Sequence, residues 1–143
     1  MTGNINKFYA IPSKTRLSDD TICNRGLQFV IDDDSAIKNS DGTKDCYVDI
    51  SYSLNNQYDS FEGIISAIED AYDKKDTAII SIYGDDELLY SSPIISRGMK
   101  STDFKIDVSG VDVLKIHTAC YNPDYPYSYY IKPCIAEARL LKK

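Results

Sequence analysis

Five of the twelve tyrosines in this 143-residue chain fall in one stretch, CYNPDYPYSYYIKPC from Cys120 to Cys134, at Tyr121, Tyr125, Tyr127, Tyr129 and Tyr130. Pro123, Pro126 and Pro133 keep the stretch from being a helix or an inner strand throughout, because proline fixes φ and has no N–H to donate to a ladder. A tyrosine ring can stack on the C–H face of a sugar or on an apolar protein surface while its hydroxyl hydrogen-bonds, and only two side-chain torsions are frozen. Asn122 and Asp124 add directional polar groups. Tyr125 and Tyr127 flank Pro126 and would project to one side of an extended segment. Tyr121, Asn122, Asp124, Tyr125 and Tyr127 therefore form the candidate ligand-binding set. The competing reading is that some of these rings close one end of the fold and the rest stand singly on its surface.

Catalysis has little to stand on. His117 is the only histidine, so a Ser/His/Asp or Cys/His nucleophile system would have to be built around one ring in a strand-like context. A strand histidine that faces solvent or is capped by a neighbour is the simpler reading. No Gly-rich phosphate loop or GxSxG elbow occurs, and the expectation is a non-catalytic protein. The acidic triplet Asp32-Asp33-Asp34 does not open an EF-hand loop, since Ile37 stands where the first ligand before Asn39, Asp41 and Gly42 is needed. The stretch Asp32 to Asp45 reads as a solvated surface loop.

The elements that must position these residues read as strands. Ile80 and Ile82 alternate with Ser81 and Tyr83, Gly84-Asp85-Asp86 supplies a tight turn, and Leu88-Leu89-Tyr90 starts the return. Phe104, Ile106 and Val108 alternate with Lys105 and Asp107, and Val48, Ile50, Tyr52 and Leu54 share one face of another strand. Residues 61–74 also carry apolar residues at i, i+3, i+4 and i+7, the spacing of an amphipathic helix. Phe61, Gly63, Ile65 and Ala67 alternate as well, and Gly63 weakens a helix, so a strand over 61–68 is expected. Antiparallel strands are expected near 47–54, 61–68, 78–84, 103–108, 113–120 and 134–141. Phe8 and Tyr9 anchor a first strand, 27–31 is a further short one, and the rest of residues 1–26 reads as turn-rich. The expected core is Val48, Ile50, Phe61, Ile80, Ile82, Phe104, Ile106, Leu114 and Ile116.

The order of an apolar strand, Gly-Asp-Asp, Leu-Tyr, a Ser-rich turn, Phe104-x-Ile106-x-Val108-Ser-Gly-Val and Leu114-Lys-Ile116 resembles the NPCBM family of carbohydrate-binding modules. A weaker likeness runs upstream through Tyr47–Leu54 and Tyr58–Ile64 and downstream to Ala136–Leu140, about two-thirds of the chain. The resemblance implies an all-β antiparallel sandwich, a jelly roll of the galactose-binding-domain-like kind, with its ligand edge near the tyrosine segment. It also implies a structural Ca²⁺ held by a glutamate of the last strand, a position matched here by Glu137. The chain departs from the family in having no tryptophan, a residue its sugar-binding members use near the C-terminal strand.

Composition bounds the rest. The length suits one domain, and 43% hydrophobic residues suffice for one core. Sixteen basic against 22 acidic residues give a net charge of −6, with no basic stripe to neutralise a phosphate backbone, which argues against a nucleic-acid partner. No apolar run approaches the roughly 20 residues that cross a bilayer, so membrane insertion is not expected. The opening residues lack a signal-peptide core. The chain is then cytoplasmic if complete and extracellular if cut from a larger secreted protein. Cys23, Cys46, Cys120 and Cys134 have no CxxC spacing and read first as buried hydrophobes, then as disulfide partners, with zinc a distant third. Two functions follow: a glycan-binding module, or a protein-interaction module on the same sandwich inside a bacterial cell.

Overall fold

A computed structural model describes residues 8–32, 36–38, 44–69, 76–121 and 130–142, with the backbone alone for 32, 36–38 and 44–46. The short strands β1 (Phe8–Ala10), β2 (Thr15–Arg16), β3 (Ile22–Cys23), β4 (Gly26–Phe29), β5 (Ile31–Asp32) and β6 (Ala36–Lys38) lead into β7 (Lys44–Ser53) and β8 (Tyr58–Ala67). β9 (Thr77–Gly84), β10 (Glu87–Ser91), β11 (Thr102–Asp107), β12 (Val113–Tyr121), β13 (Tyr130–Ile131) and β14 (Pro133–Lys142) follow. They form two five-stranded antiparallel sheets, β1-β4-β14-β8-β11 and β10-β9-β12-β7-β6, with the small pairs β13-β5 and β2-β3 beside them. One apolar core takes Phe61, Ile65 and Ile135 from the first sheet and Val48, Ile80, Ile82, Leu114 and Ile116 from the second. The fold is the antiparallel β-sandwich expected.

Turn chemistry sets the connections. Asp85 and Asp86 have φ of 47° and 69° between the paired residues Gly84 and Glu87, the positive pair that a two-residue I′ hairpin demands. Asn55 and Asn56, with φ of 53° and 56°, turn the chain from β7 in the second sheet to β8 in the first, and the Gln57 N–H donates to the Leu54 carbonyl at 3.1 Å.

The strand reading of 61–68 holds, and the cause of the rival helical spacing is visible. β8 lies between β14 and β11 and is covered on both faces. Phe61, Ile65 and Ala67 face the main core, whereas Ile64 and Ile68 face a second cluster with Leu17, Cys23, Cys134 and Ala136 beneath the β2–β3 pair. A strand apolar on both faces places apolar residues at consecutive positions, and these coincide with i, i+3 and i+4.

Three expectations are corrected. Ile106 is only half-buried, because β11 is an edge strand with β8 as its one neighbour in the sheet. Tyr52, by contrast, shares the face of Val48 and Ile50 as expected and is 38% exposed. The stretch 32–45 is not all loop: Ala36–Lys38 pairs with Lys44–Cys46. The turn-rich start contains the β2–β3 pair, which covers the outer face of the first sheet. Its tie is Asp19, whose carboxylate accepts the Ser101 N–H at 2.9 Å and the Thr21 N–H at 3.1 Å. The Ser101 N–H in particular holds this carboxyl well below the usual range.

Cys23 and Cys134 are buried free thiols, in keeping with their reading as small hydrophobes, and burial pushes both upward in pKa. Cys120 is half-buried. Among the described residues no helix is long and apolar enough to cross a membrane.

Candidate functional site

The two ends of the tyrosine segment are fastened to adjacent residues. Tyr121 ends β12 on the outer face of the second sheet, 36% exposed, and the Thr77 hydroxyl donates to its carbonyl at 2.7 Å. The Tyr130 N–H donates to the Asp76 carboxylate at 2.8 Å, and Arg97 Nη2 donates to the Tyr130 carbonyl at 3.1 Å. The Arg97 guanidinium and Lys132 Nζ stand 5.8 and 5.9 Å from the centre of the Tyr130 ring, within cation–π range. Ile131, next in sequence, is fully buried in the core. Asp76 and Thr77 thus hold Tyr130 and Tyr121 side by side. Asn122, Asp124, Tyr125 and Tyr127 lie outside the described residues.

His117 sits in mid-strand on the same outer face, where Nδ1 hydrogen-bonds the carboxylate of Asp49 on β7. Its ring lies against Tyr47 with centroids 5.2 Å apart. The histidine is capped by a neighbour, as one of the simple sequence readings had it.

A second arrangement was not foreseen. In β14 the register slips by one residue, from Ala136 opposite Ile64 to Arg139 opposite Glu62, and Glu137 at the bulge has φ 51°. The Glu137 N–H donates to the Arg25 carbonyl at 2.9 Å, and the Asn24 N–H donates to Glu137 Oε2 at 2.9 Å. The bulge turns Glu137 and Arg139 onto the outer face beside Glu62. Arg139 Nε lies 3.0 Å from Glu62 Oε1, and Arg25 Nε lies 3.5 Å from Glu137 Oε1. With Asp103 and Lys105 of β11, these four residues line a hollow of about 480 Å³. A second hollow, of about 300 Å³, opens at the end of the sandwich between Leu27, Tyr52, Phe61 and Leu140, and it shares Arg25 and Arg139. The signal in the sequence was thin: Asp103 and Lys105 are alternate polar positions of an expected strand, but the Glu62–Arg139 pairing needs the register.

Both carboxylate oxygens of Glu137, the residue that the family resemblance offers for Ca²⁺, have partners in this structure: Oε2 accepts the Asn24 N–H and Oε1 lies beside Arg25 Nε. A Ca²⁺ ion takes six to eight oxygen donors, so Glu137 would have to give up its Arg25 contact and be joined by further oxygens to serve as a ligand. Among the described residues no group of three or more His, Cys, Asp or Glu could hold a metal ion.

The model of the NPCBM/NEW2 domain matches residues 42–122, more than half of the chain. The chain belongs to the NPCBM/NEW2 domain family. This is a family of non-catalytic carbohydrate-binding modules, and the matched region runs from two residues before β7 to the residue after Tyr121. The sandwich is similar to solved CBM51 modules. One is the CBM51-2 and INT domains of Clostridium perfringens ZmpB in complex with GlcNAc, at 14% identity and a TM-score of 0.66, covering 93% of this chain and 27% of that one. Another is the CBM51 of Clostridium perfringens GH95 in complex with methyl-galactose, at 15% identity and 0.56, covering 94% and 92%. The tandem CBM51 modules of Sp3GH98 from Streptococcus pneumoniae match at 17% identity and 0.60, covering 99% of this chain and 43% of that one. The NPCBM/NEW2 chain thus spans about a quarter of the ZmpB chain and nearly all of the GH95 module. No curated protein matches the sequence.

Proposed function

We propose that this chain binds a carbohydrate through the tyrosine segment, with Tyr125 and Tyr127 as stacking anchors and Tyr121, Asn122 and Asp124 beside them. The observation that carries the reading is the fastening of Tyr121 and Tyr130 by Thr77 and Asp76, within a family of carbohydrate-binding modules. Fixing both ends of an aromatic segment lowers the ordering cost of binding, which favours recognition by few contacts. The similar CBM51 modules are in complex with GlcNAc and with methyl-galactose, so neutral monosaccharide units are the first ligands to try. The test is calorimetric titration of methyl galactoside and GlcNAc into the protein and into folded Tyr125→Ala and Tyr127→Ala variants. A true anchor costs more than about 1 kcal/mol, roughly fivefold in Kd. Unchanged affinity in both variants removes the segment from the site.

The second reading is a protein partner at the same segment. It is favoured by the buried free thiols Cys23 and Cys134, which suit a reducing compartment, and by the absence of tryptophan. Capture of a discrete protein by the wild type and not by the Tyr125→Ala variant, with no response to any sugar, would select it.

A further inference from the structure

We propose that the two hollows joined at Arg25 and Arg139 form a second saccharide-binding cleft, selective for neutral sugars and separate from the tyrosine segment. Their volumes, about 480 and 300 Å³, suit small ligands. The end hollow is lined by the apolar side chains of Leu27 and Leu140 over the buried Phe61, and by Tyr52, which is 38% exposed. That is a surface for the C–H face of a pyranose.

Beside this wall stand the two Arg–carboxylate pairs, at 3.0 and 3.5 Å. Each contact engages the arginine through Nε, and the Nη groups of Arg25 and Arg139 have no protein partner among the described residues. A sugar hydroxyl both donates and accepts, so two adjacent hydroxyls complement a guanidinium set next to a carboxylate. Arg25, Lys105 and Arg139 are balanced by Glu62, Asp103 and Glu137. The field over the cleft is therefore close to cancelled, which gives an acidic sugar no advantage over a neutral one. The bulge bonds that place Glu137 and Arg25 exist before any ligand arrives, so little ordering is left for binding to do. Leu114, on the end hollow, and Tyr121 are seven residues apart on β12, about 23 Å at 3.3 Å per residue.

The test is a ¹⁵N–¹H titration of the full chain with the methyl glycosides of galactose, glucose, mannose and GlcNAc, and with galacturonic acid as the acidic probe. The expected result is that at least one neutral glycoside shifts the amides of Gly63, Ala138 and Arg139. Arg139→Ala and Tyr52→Ala should each weaken this response at least about tenfold, Tyr52→Phe should keep it, and Tyr125→Ala should leave it unchanged. Arg139 is on the exposed rim, so its variant stays folded even if Tyr52→Ala does not. Shifts confined to Thr77 and Tyr121 would overturn the cleft and leave the tyrosine segment standing. Shifts at neither place would overturn both, and tighter binding of galacturonic acid would overturn the neutral class.

Discussion

Gly26→Ala should unlock the bulge and with it the cleft. Gly26 has φ +133° and packs on β14 so closely that an added Cβ would meet the Ile135 carbonyl oxygen at 2.3 Å and Ala136 Cα and Glu137 N at 3.0 Å. The conformation is one that only glycine holds without strain, worth about 1–3 kcal/mol. All three neighbours are backbone, so β4 and β14 must separate, which breaks the Glu137 N–H to Arg25 bond and the Asn24 N–H to Glu137 bond, about 1 kcal/mol each. The total is about 3–5 kcal/mol, which in a domain of this size lowers Tm on the order of 10–15 °C. Gly110→Ala is the control: its φ is +78° but nothing lies within 4 Å of the added Cβ, so only the conformational cost of about 1 kcal/mol remains. Calorimetric melts of the two variants with urea midpoints decide the matter. If Gly26→Ala melted no lower than Gly110→Ala, the close approach of β4 to β14 would not be what fixes the bulge.

Leu114→Ala, which opens a cavity at a fully buried site of the main core, should cost about 2–5 kcal/mol, and Ile106→Ala on the half-exposed edge strand clearly less; urea denaturation compares them. Asp19 is held low in pKa in the folded state, so its contribution to stability is full above the unfolded value near about 3.9 and is lost as pH falls through the folded value. The stability gap between wild type and Asp19→Asn should therefore narrow from about pH 5 toward about pH 2, and a gap that widened on acidification would refute the sign. Alkylation followed by peptide mass spectrometry should find Cys23 and Cys134 protected in the native protein and reactive in denaturant, since both are buried and burial raises their pKa.

The long strands were legible because each has a one-sided alternation that burial explains. Ile80 and Ile82 in β9 and Leu114 and Ile116 in β12 point inward, and Asp85-Asp86 makes the turn its composition announced. What escaped depends on contacts between distant segments. The β2–β3 pair is held by Leu17 packing on Ile68 and by Asp19 reaching Ser101, neither of which leaves a periodic trace in fifteen polar residues or so. The charged hollow escaped for the same reason: Glu62 meets Arg139 only after a one-residue slip, and no spacing in a single strand announces a bulge. Tyr52 lies on the face that alternation gives it and is still 38% exposed, because alternation gives the side of a sheet and not how far a residue on that side is covered.

If the tyrosine segment and the cleft both bind sugar, as proposed, short and long ligands should behave differently. On the two proposals above, a monosaccharide should fill each site independently, since the segment and the cleft share no residue and sit about 23 Å apart along β12. Their free energies combine only when one ligand reaches both, and then the second contact forms at an effective concentration set by the linker. Two contacts of about 1 mM each, about −4 kcal/mol apiece, would together approach the micromolar range at an effective concentration near 1 M and fall short of it at the millimolar values of flexible linkers. A glycan too short to span the distance gains nothing, however many sugars it offers to one end. On this reasoning glycan length should raise affinity only once one ligand spans both sites, and then only as far as the effective concentration exceeds the dissociation constant of a single contact.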